Sequence, residues 1–356
     1  MTAAATAGEV PAKDALTNCP RAYGEPLVRG RIRVSADDFQ VCEKLGFGPE
    51  GVGEHLFLHV EKTGQNTAWV ARELARVSGV HAREVGYAGI KDRHARVRQY
   101  FTIRVGNKPE PDWSGLGEGI RVLESGRHRR KLQRGALKSN EFKLVIRHLS
   151  GQIDSLEPRL AHVATEGVPN YFGPQRFGRN QSNLTRARAA CRDGRWPRDR
   201  FQRGLLFSAA RAHLFNNVLA ERVVHGEWNR LIAGDIALLD GTNSLFDVVE
   251  PDSTLAERLM KLDLHPTGPM YGIGGKQPSA DAAALEHKVV ARDPVLAEGL
   301  ERVGIKAARR ALRVVARAFG GVVDGDTLRL TFVLPPGAYA TAVLHELLSF
   351  EETDHA

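Results

Sequence analysis

The sequence predicts an α+β protein in which a strand-bearing domain is interrupted by a helix-dominated insertion. Two alternating segments, far apart in the chain, carry that expectation. Residues 142–149 place Phe142, Leu144 and Ile146 on one face, and residues 327–334 place Leu328, Leu330, Phe332 and Leu334 on one face. This is the period-2 pattern of half-buried strands. Between them, from about Gly167, Arg becomes dense and helical spacing dominates. The late strand matches the first block better than the middle. The outer domain is therefore expected at 31–166 and 313–356, the insertion at 167–312, and a loose tail at 1–30. A chain of 356 residues suits two domains.

Taken in order, residues 1–18 are Ala/Thr-rich, without the basic start and apolar run of a secretory signal. Residues 54–62 (EHLFLHVEK) read as a short strand. Asn66-Thr67 then caps a helix with Val70, Leu74 and Val77 on one face, stopped by Gly79. Residues 85–88 and 99–104 read as strands joined by the charged loop 89–98. Ile153, Leu156, Leu160 and Val163 mark a helix, as do Leu214, Val218 and Leu219 within 208–224. Residues 266–275 (PTGPMYGIGG) read as a Gly/Pro loop. The late strand passes through Pro335-Pro336-Gly337 into a short helix carrying Val343, Leu344 and Leu347. There is no internal repeat.

Composition excludes several classes. Hydrophobic residues at 42% and charged residues at 26% exclude wholesale disorder. No apolar run is long enough for a membrane helix. Cys19, Cys42 and Cys191 are too scattered for a disulfide framework or a thiolate zinc site, and they fit a cytoplasmic protein. Gly46–Gly51 spells G-x-G-x-x-G. A dinucleotide site needs that string to open a helix, but Pro49 and Glu50 fall inside it and a strand is expected after it. A plain loop and no nucleotide cofactor are expected.

Two features point to chemistry. The loop Gly86-Tyr87-Ala88-Gly89-Ile90-Lys91-Asp92-Arg93-His94-Ala95 holds one acid between two cations. Its glycines allow close backbone approach, and its cations favour the ionised carboxylate that a nucleophile or base requires. A solvated turn would show the same residues. Secondly, Lys and Arg total 50 against 42 Asp and Glu, a net charge of +8. Arg127, Arg129, Arg130, Lys131, Arg134 and Lys138 form one strip. Arg186, Arg188, Arg192, Arg195, Arg198, Arg200 and Arg203 form another, near Trp196, Phe201 and Phe207. Arginine forks suit phosphates and aromatic faces stack on bases, although charge runs also occur as plain solvated surface.

These segments resemble the TruD family of tRNA pseudouridine synthases. The resemblance rests on ordered strings spanning about Arg31 to Glu351. They are Asp37-Asp38-Phe39, Gly53-Glu54-His55, Lys62-Thr63-Gly64-Gln65-Asn66-Thr67, Ala88-Gly89-Ile90-Lys91-Asp92-Arg93-His94-Ala95 and Arg134-Gly135-Ala136-Leu137-Lys138-Ser139-Asn140-Glu141-Phe142. Further on come Asn170-Tyr171-Phe172-Gly173-Pro174-Gln175-Arg176-Phe177-Gly178, Ser208-Ala209-Ala210-Arg211 and Pro335-Pro336-Gly337-Ala338-Tyr339-Ala340-Thr341. The fold implied is a mixed, largely antiparallel sheet flanked by helices, with an inserted α/β domain forming a cleft.

The activity implied is conversion of a uridine, uridine 13 in the D arm of tRNA, to pseudouridine, with no metal and no cofactor. Resemblance makes Asp92 the catalytic carboxylate and Arg33, where the family often has Lys, its basic partner. Phe39, Asn140, Phe142 and Tyr339 match residues that enclose the base, with Tyr339 standing where Phe is common. The RNA-binding candidates are Lys91, Arg93, His94, Arg127, Arg129, Arg130, Lys131, Arg134, Lys138, Arg176, Arg186, Arg188 and Arg195. The partner implied is tRNA, not a membrane, and the oligomeric state stays open, compatible with a monomer. A catalytically silent RNA-binding protein or chaperone on the same fold is the alternative, and the presence of Asp92 favours the enzyme.

Overall fold

The computed structural model describes Leu16 and residues 19–353. The expectation of a tail over residues 1–18 therefore lies, Leu16 apart, outside the described residues. The rest of that expectation is corrected. Strand β1 (Val28–Ile32) begins before residue 30 and buries Val28 and Ile32. Upstream of it, the N–H groups of Ala22 and Tyr23 donate to the buried Glu346 carboxylate at 3.1 and 3.2 Å. β1 alternates in the sequence, Val28-Arg29-Gly30-Arg31-Ile32, but a glycine stands where its central apolar residue would be, which weakens the strand signal. Its Gly30 is not a turn signal, since a Cβ there would lie 2.6 Å from Ile146.

β2 (Phe39–Leu45), β3 (His55–Thr63), β4 (Val85–Tyr87), β5 (Arg96–Arg104), β6 (Ile120–His128) and β7 (Leu137–Gly151) follow. Between β3 and β4 lies α1 (Thr67–Val77), whose first turn is capped by the Asn66 side chain accepting from Trp69 N–H at 2.8 Å. Its Val70 and Leu74 pack on Leu56, Leu58 and Val60 of β3. Residues 46–51 lie between β2 and β3 with a strand after them, as a plain loop requires. α2 (Leu156–Glu166) buries Leu156 and Val163.

The middle of the chain opens with β8 (Val168–Pro169), then α3 (Ser182–Asp193) and α4 (Arg200–Val224), the latter capped by Asp199. α4 buries Leu214, Phe215, Val218 and Leu219. It lies against an antiparallel sheet ordered β10-β9-β11-β12, formed by β9 (Ile236–Leu239), β10 (Leu245–Asp247), β11 (Leu264–Met270) and β12 (Ala308–Ala311). α5 (Ser253–Met260), α6 (Ala280–Val290) and α7 (Pro294–Val303) complete this part. The Gly/Pro loop expected from residue 266 is corrected here, because 264–270 is the buried strand β11. Pro266 pairs on one side with Ala237 and Pro269 on the other with Arg309. Each half of the strand is laddered on one edge, which accommodates two residues that cannot donate.

The chain then returns. β13 (Arg313–Val314) pairs with β8, so residues 168–169 and 313–314 lie side by side. β14 (Arg317–Asp324), β15 (Thr327–Leu334), α8 (Ala340–Leu347) and β16 (Ser349–Glu352) rejoin the first block. The large sheet has ten strands, ordered β14-β15-β7-β2-β5-β3-β6, with β1, β16 and β4 attached. Among the described residues, only β2–β5 and β1–β16 are parallel in this sheet, so it is mixed and largely antiparallel. The fold is α+β, as the sequence predicts. Register sets Phe142 of β7 between Val41 of β2 and Phe332 of β15. The alternating faces read from both strands form one core with α2 and α8. Among the described residues, no helix is long and apolar enough to cross a membrane.

Candidate active site

The loop joining β4 to β5 is held from several sides. Lys91 N–H donates to Thr67 Oγ1 at 3.0 Å, and Gln99 Nε2 donates to Gly89 O at 2.6 Å. Lys62 Nζ donates to Asp92 O at 2.6 Å, and Arg93 Nε to Gly64 O at 3.1 Å. The Lys91 side chain turns inward, 3.1 Å from the buried Glu43 carboxylate. The loop is thus not a plain solvated turn, because buried partners fix its backbone at Gly89, Lys91 and Asp92.

The Asp92 side chain is 34% exposed and faces a cleft. Its Oδ2 accepts from Arg33 Nη2 at 2.8 Å and from Gln175 Nε2 at 3.3 Å. Among the described residues, Oδ1 accepts no hydrogen bond and stays available to a ligand. Arg33 also reaches Glu352 at 2.8 Å and lies 4.2 Å from the Phe39 ring centre. Its φ of 57° lies in the left-handed region, which costs a non-glycine residue about 1–2 kcal/mol. That bend carries the chain from the end of β1 toward the short turn before Phe39. There Asp38 accepts Arg147 Nη2 at 2.8 Å and Ser35 N–H at 3.0 Å. Burial opposes ionisation of Asp38, but these hydrogen bonds prevail and hold its carboxyl below the usual range.

The cleft, of about 360 Å³, is lined by Phe39 and Val41 from β2 and by Asn140 and Phe142 from β7. Gln175 and Arg176 come from the turn after β8, and Tyr339 from the entry to α8. This volume falls in the range of small-ligand sites. Phe142 meets Phe39 edge-on, with ring centres 6.3 Å apart, and stacks on Phe332 at 5.3 Å. Asn140 is buried, and its Oδ1 has no partner among the described residues, which leaves an acceptor on the wall. The Tyr339 hydroxyl accepts from Arg176 Nε at 3.0 Å, and Arg176 Nη1 donates to Ser208 Oγ at 2.8 Å. The structure therefore gathers Asp92, Arg33, Phe39, Asn140, Phe142, Arg176 and Tyr339 around one cavity.

The RNA-binding candidates divide. Arg127 donates to Gly106 O and Lys108 O, Lys131 to Arg83 O, and Arg188 to Asp293 at 2.7 Å. These, like Lys91, spend donors inside the protein. Arg129, Arg130, Arg134, Lys138, Arg186 and Arg195 are exposed, as is Arg93, while His94 is half-buried in the loop. Arg134 lies 5.5 Å from the Tyr87 ring and 5.6 Å from the Phe201 ring, bringing the first strip against the start of α4.

Sequence reasoning did not single out Gln175, Lys62, Glu43 or Glu352 as site residues. Gln175 sits inside a string already noted. Lys62 had a visible signal, since it continues the inward row Leu56, Leu58, Val60 by two-residue steps. Glu43 and Glu352 had none.

Comparison with known proteins places nearly the whole chain. The family model of tRNA pseudouridine synthase D (TruD) matches residues 20–189 and 199–347. A protein named tRNA pseudouridine synthase D from Methylococcus capsulatus is 49% identical over 335 residues, covering 93% of this chain and 94% of the relative. One of the same name from Nitrosococcus oceani is 43% identical over 339 residues, with coverage of 93% and 94%. A solved structure carrying the TruD name, from Methanosarcina mazei, shares the fold with a TM-score of 0.71 at 21% identity, covering 92% of this chain and 95% of its own. The family match and the named relatives define a pseudouridine synthase, a class of isomerases. The chain belongs to the TruD family of tRNA pseudouridine synthases.

Proposed function

We propose that this protein converts uridine 13 of the tRNA D arm to pseudouridine in the cytoplasm, without a cofactor, and that Asp92 is its essential carboxylate. Formation of pseudouridine in tRNA is the activity its relatives are named for. The observation that supports the role of Asp92 is its carboxylate, held through one oxygen by Arg33 and open through the other to a cleft lined by Phe39, Phe142 and Tyr339.

The reaction balances within the substrate. The N1–C1′ bond breaks, the uracil turns, C5 bonds to C1′, the C5 proton leaves and N1 gains one. A single ionised carboxylate can serve at the sugar, at the base or at the C5 proton, and Arg33 holds one of its oxygens in place at 2.8 Å. Phe39, Phe142 and Tyr339 supply faces that keep the freed base in the cavity, and Asn140 supplies amide hydrogen bonds to its edge. Flipping the nucleotide out costs on the order of a few kcal/mol. Phosphate contacts from the exposed arginines, with the inserted segment 167–312 as the opposite wall, offset that cost.

Purified protein incubated with unmodified tRNA transcripts, followed by pseudouridine mapping, is expected to give one product position, uridine 13. Binding without any product would favour the silent RNA-binding alternative. Among the described residues, no group of three or more His, Cys, Asp or Glu is placed to hold a metal ion. Turnover should accordingly survive EDTA, and loss restored by added metal would refute the cofactor-free reading. Binding should weaken with salt. With about five phosphates contacted, log K falls against log salt with a slope near −4 or steeper. Replacing Arg129 and Arg130 together with Gln should flatten that slope by roughly one to two. An unchanged slope would return both to ordinary surface charge.

A further inference from the structure

We propose that Lys62 is a positioning residue for this reaction: its buried ammonium ties the main chain of Asp92 to the turn leading into α1 and sets a positive charge beside that residue. The proposal rests on Asp92 being the essential carboxylate. Lys62 has no exposed surface. Its Nζ donates to Asp92 O at 2.6 Å and to Gln65 O at 2.7 Å, and it forms no ion pair with a carboxylate among the described residues. A lysine buried without an ionic partner is rare and unfavourable, and an apolar side chain would serve the packing better. What Lys62 does is join the two segments whose spacing sets where the carboxylate stands. Arg33 and Gln175 hold the side chain of Asp92 from the cleft side, while Lys62 holds its backbone from within the sheet.

Burial pushes the Lys62 ammonium down to about 8, with Asp92 opposing and Lys91 assisting that shift. The other charged groups nearby are already paired. Lys91 is bound to Glu43 and Asp92 to Arg33. On the neighbouring strands, Arg96 is bound to Asp37, while Arg98 and Arg121 are bound to Glu61. Lys62 therefore carries its charge below about pH 8 and loses it above. The sign for stability is opposite. Above that pH the folded chain has released a proton that the unfolded chain still holds, so this group makes the fold more stable as pH rises. A fall in turnover through pH 8 caused by Lys62 thus comes without melting.

The test measures kcat and KM for tRNA transcripts with the full chain, on both sides of pH 8. Wild-type kcat should fall as pH rises through about 8, with KM steady and the protein folded. Lys62→Met should lower kcat about 100-fold, leave KM within about threefold and lack that alkaline fall. Lys62→Arg, which stays charged, should recover part of kcat and also lack the fall. Near-normal kcat per folded molecule in Lys62→Met overturns the proposal. If Lys62→Met does not fold, a flat wild-type profile through pH 8 overturns it alone. Asp92→Asn runs alongside. Turnover surviving there removes the Asp92 reading and this proposal with it, whereas an inactive Asp92→Asn beside an unimpaired Lys62→Met removes only the role of Lys62.

Discussion

Asp92→Asn is expected to abolish pseudouridine formation, by about a thousandfold or more, while tRNA affinity stays within a few fold. The amide keeps the size of the carboxylate, and its oxygen can still accept from Arg33 across the 2.8 Å contact. Arg33 retains Glu352, so the guanidinium is not stranded when the neighbouring charge disappears. What is lost is the negative charge, and with it the nucleophilicity or basicity that the proposed role of Asp92 requires. Pseudouridine mapping at saturating protein, with filter binding as the control, decides it. Turnover within tenfold of wild type would remove Asp92 from the chemistry, and a large loss of affinity would make it a binding residue instead.

Phe142 is expected to separate two functions that meet in one ring. It is 7% exposed, packed between Phe39 and Phe332, and it also lines the cleft. Phe142→Leu keeps an apolar body against Val41 and Phe332 but removes the flat face. Loss of such a face costs roughly 1–3 kcal/mol in the interaction with a base, so turnover should drop at least about tenfold. The melting temperature should move only a few degrees. Phe142→Ala leaves a hole in the sheet core and should lower stability by about 3–5 kcal/mol. Asn140→Ala, by contrast, should reduce turnover without melting the protein. If Phe142→Leu melts far earlier yet turns over normally in the cold, the ring serves the core alone.

The parts of the molecule legible in the sequence are those with long, regular periods. Residues 142–149 and 327–334 alternate cleanly, and the structure places them in antiparallel strands that share a register at Phe142 and Phe332. α1 was readable from its Asn66 cap and its Val70–Leu74 spacing. β1 and β11 were not. One is five residues long with a glycine at the centre of its buried face, and the other contains two prolines that local preference assigns to a loop. In the site, Asp92, Arg33, Asn140 and Phe142 were reached through family strings, because no local rule distinguishes a catalytic Asp from one in a solvated turn. Glu43 and Glu352 lie beyond both kinds of reasoning. Each matters only through a partner brought to it by the sheet, Lys91 in one case and Arg33 in the other.

The parallel pairing of β1 with β16 bears on how the enzyme is made. Arg29–Ile32 lie beside Ser349–Glu352, nearly the whole length of the chain away. Contacts between such distant residues close a large loop before they return any energy, and they form slowly. The intervening helices and the β9–β12 sheet are built from nearer neighbours and can organise first. A ribosome-bound chain that lacks residues 349–352 has its candidate catalytic aspartate and that aspartate's arginine, yet the arginine still lacks Glu352. The Arg33–Glu352 ion pair is therefore a late feature of the nascent protein, formed when these two distant edges meet.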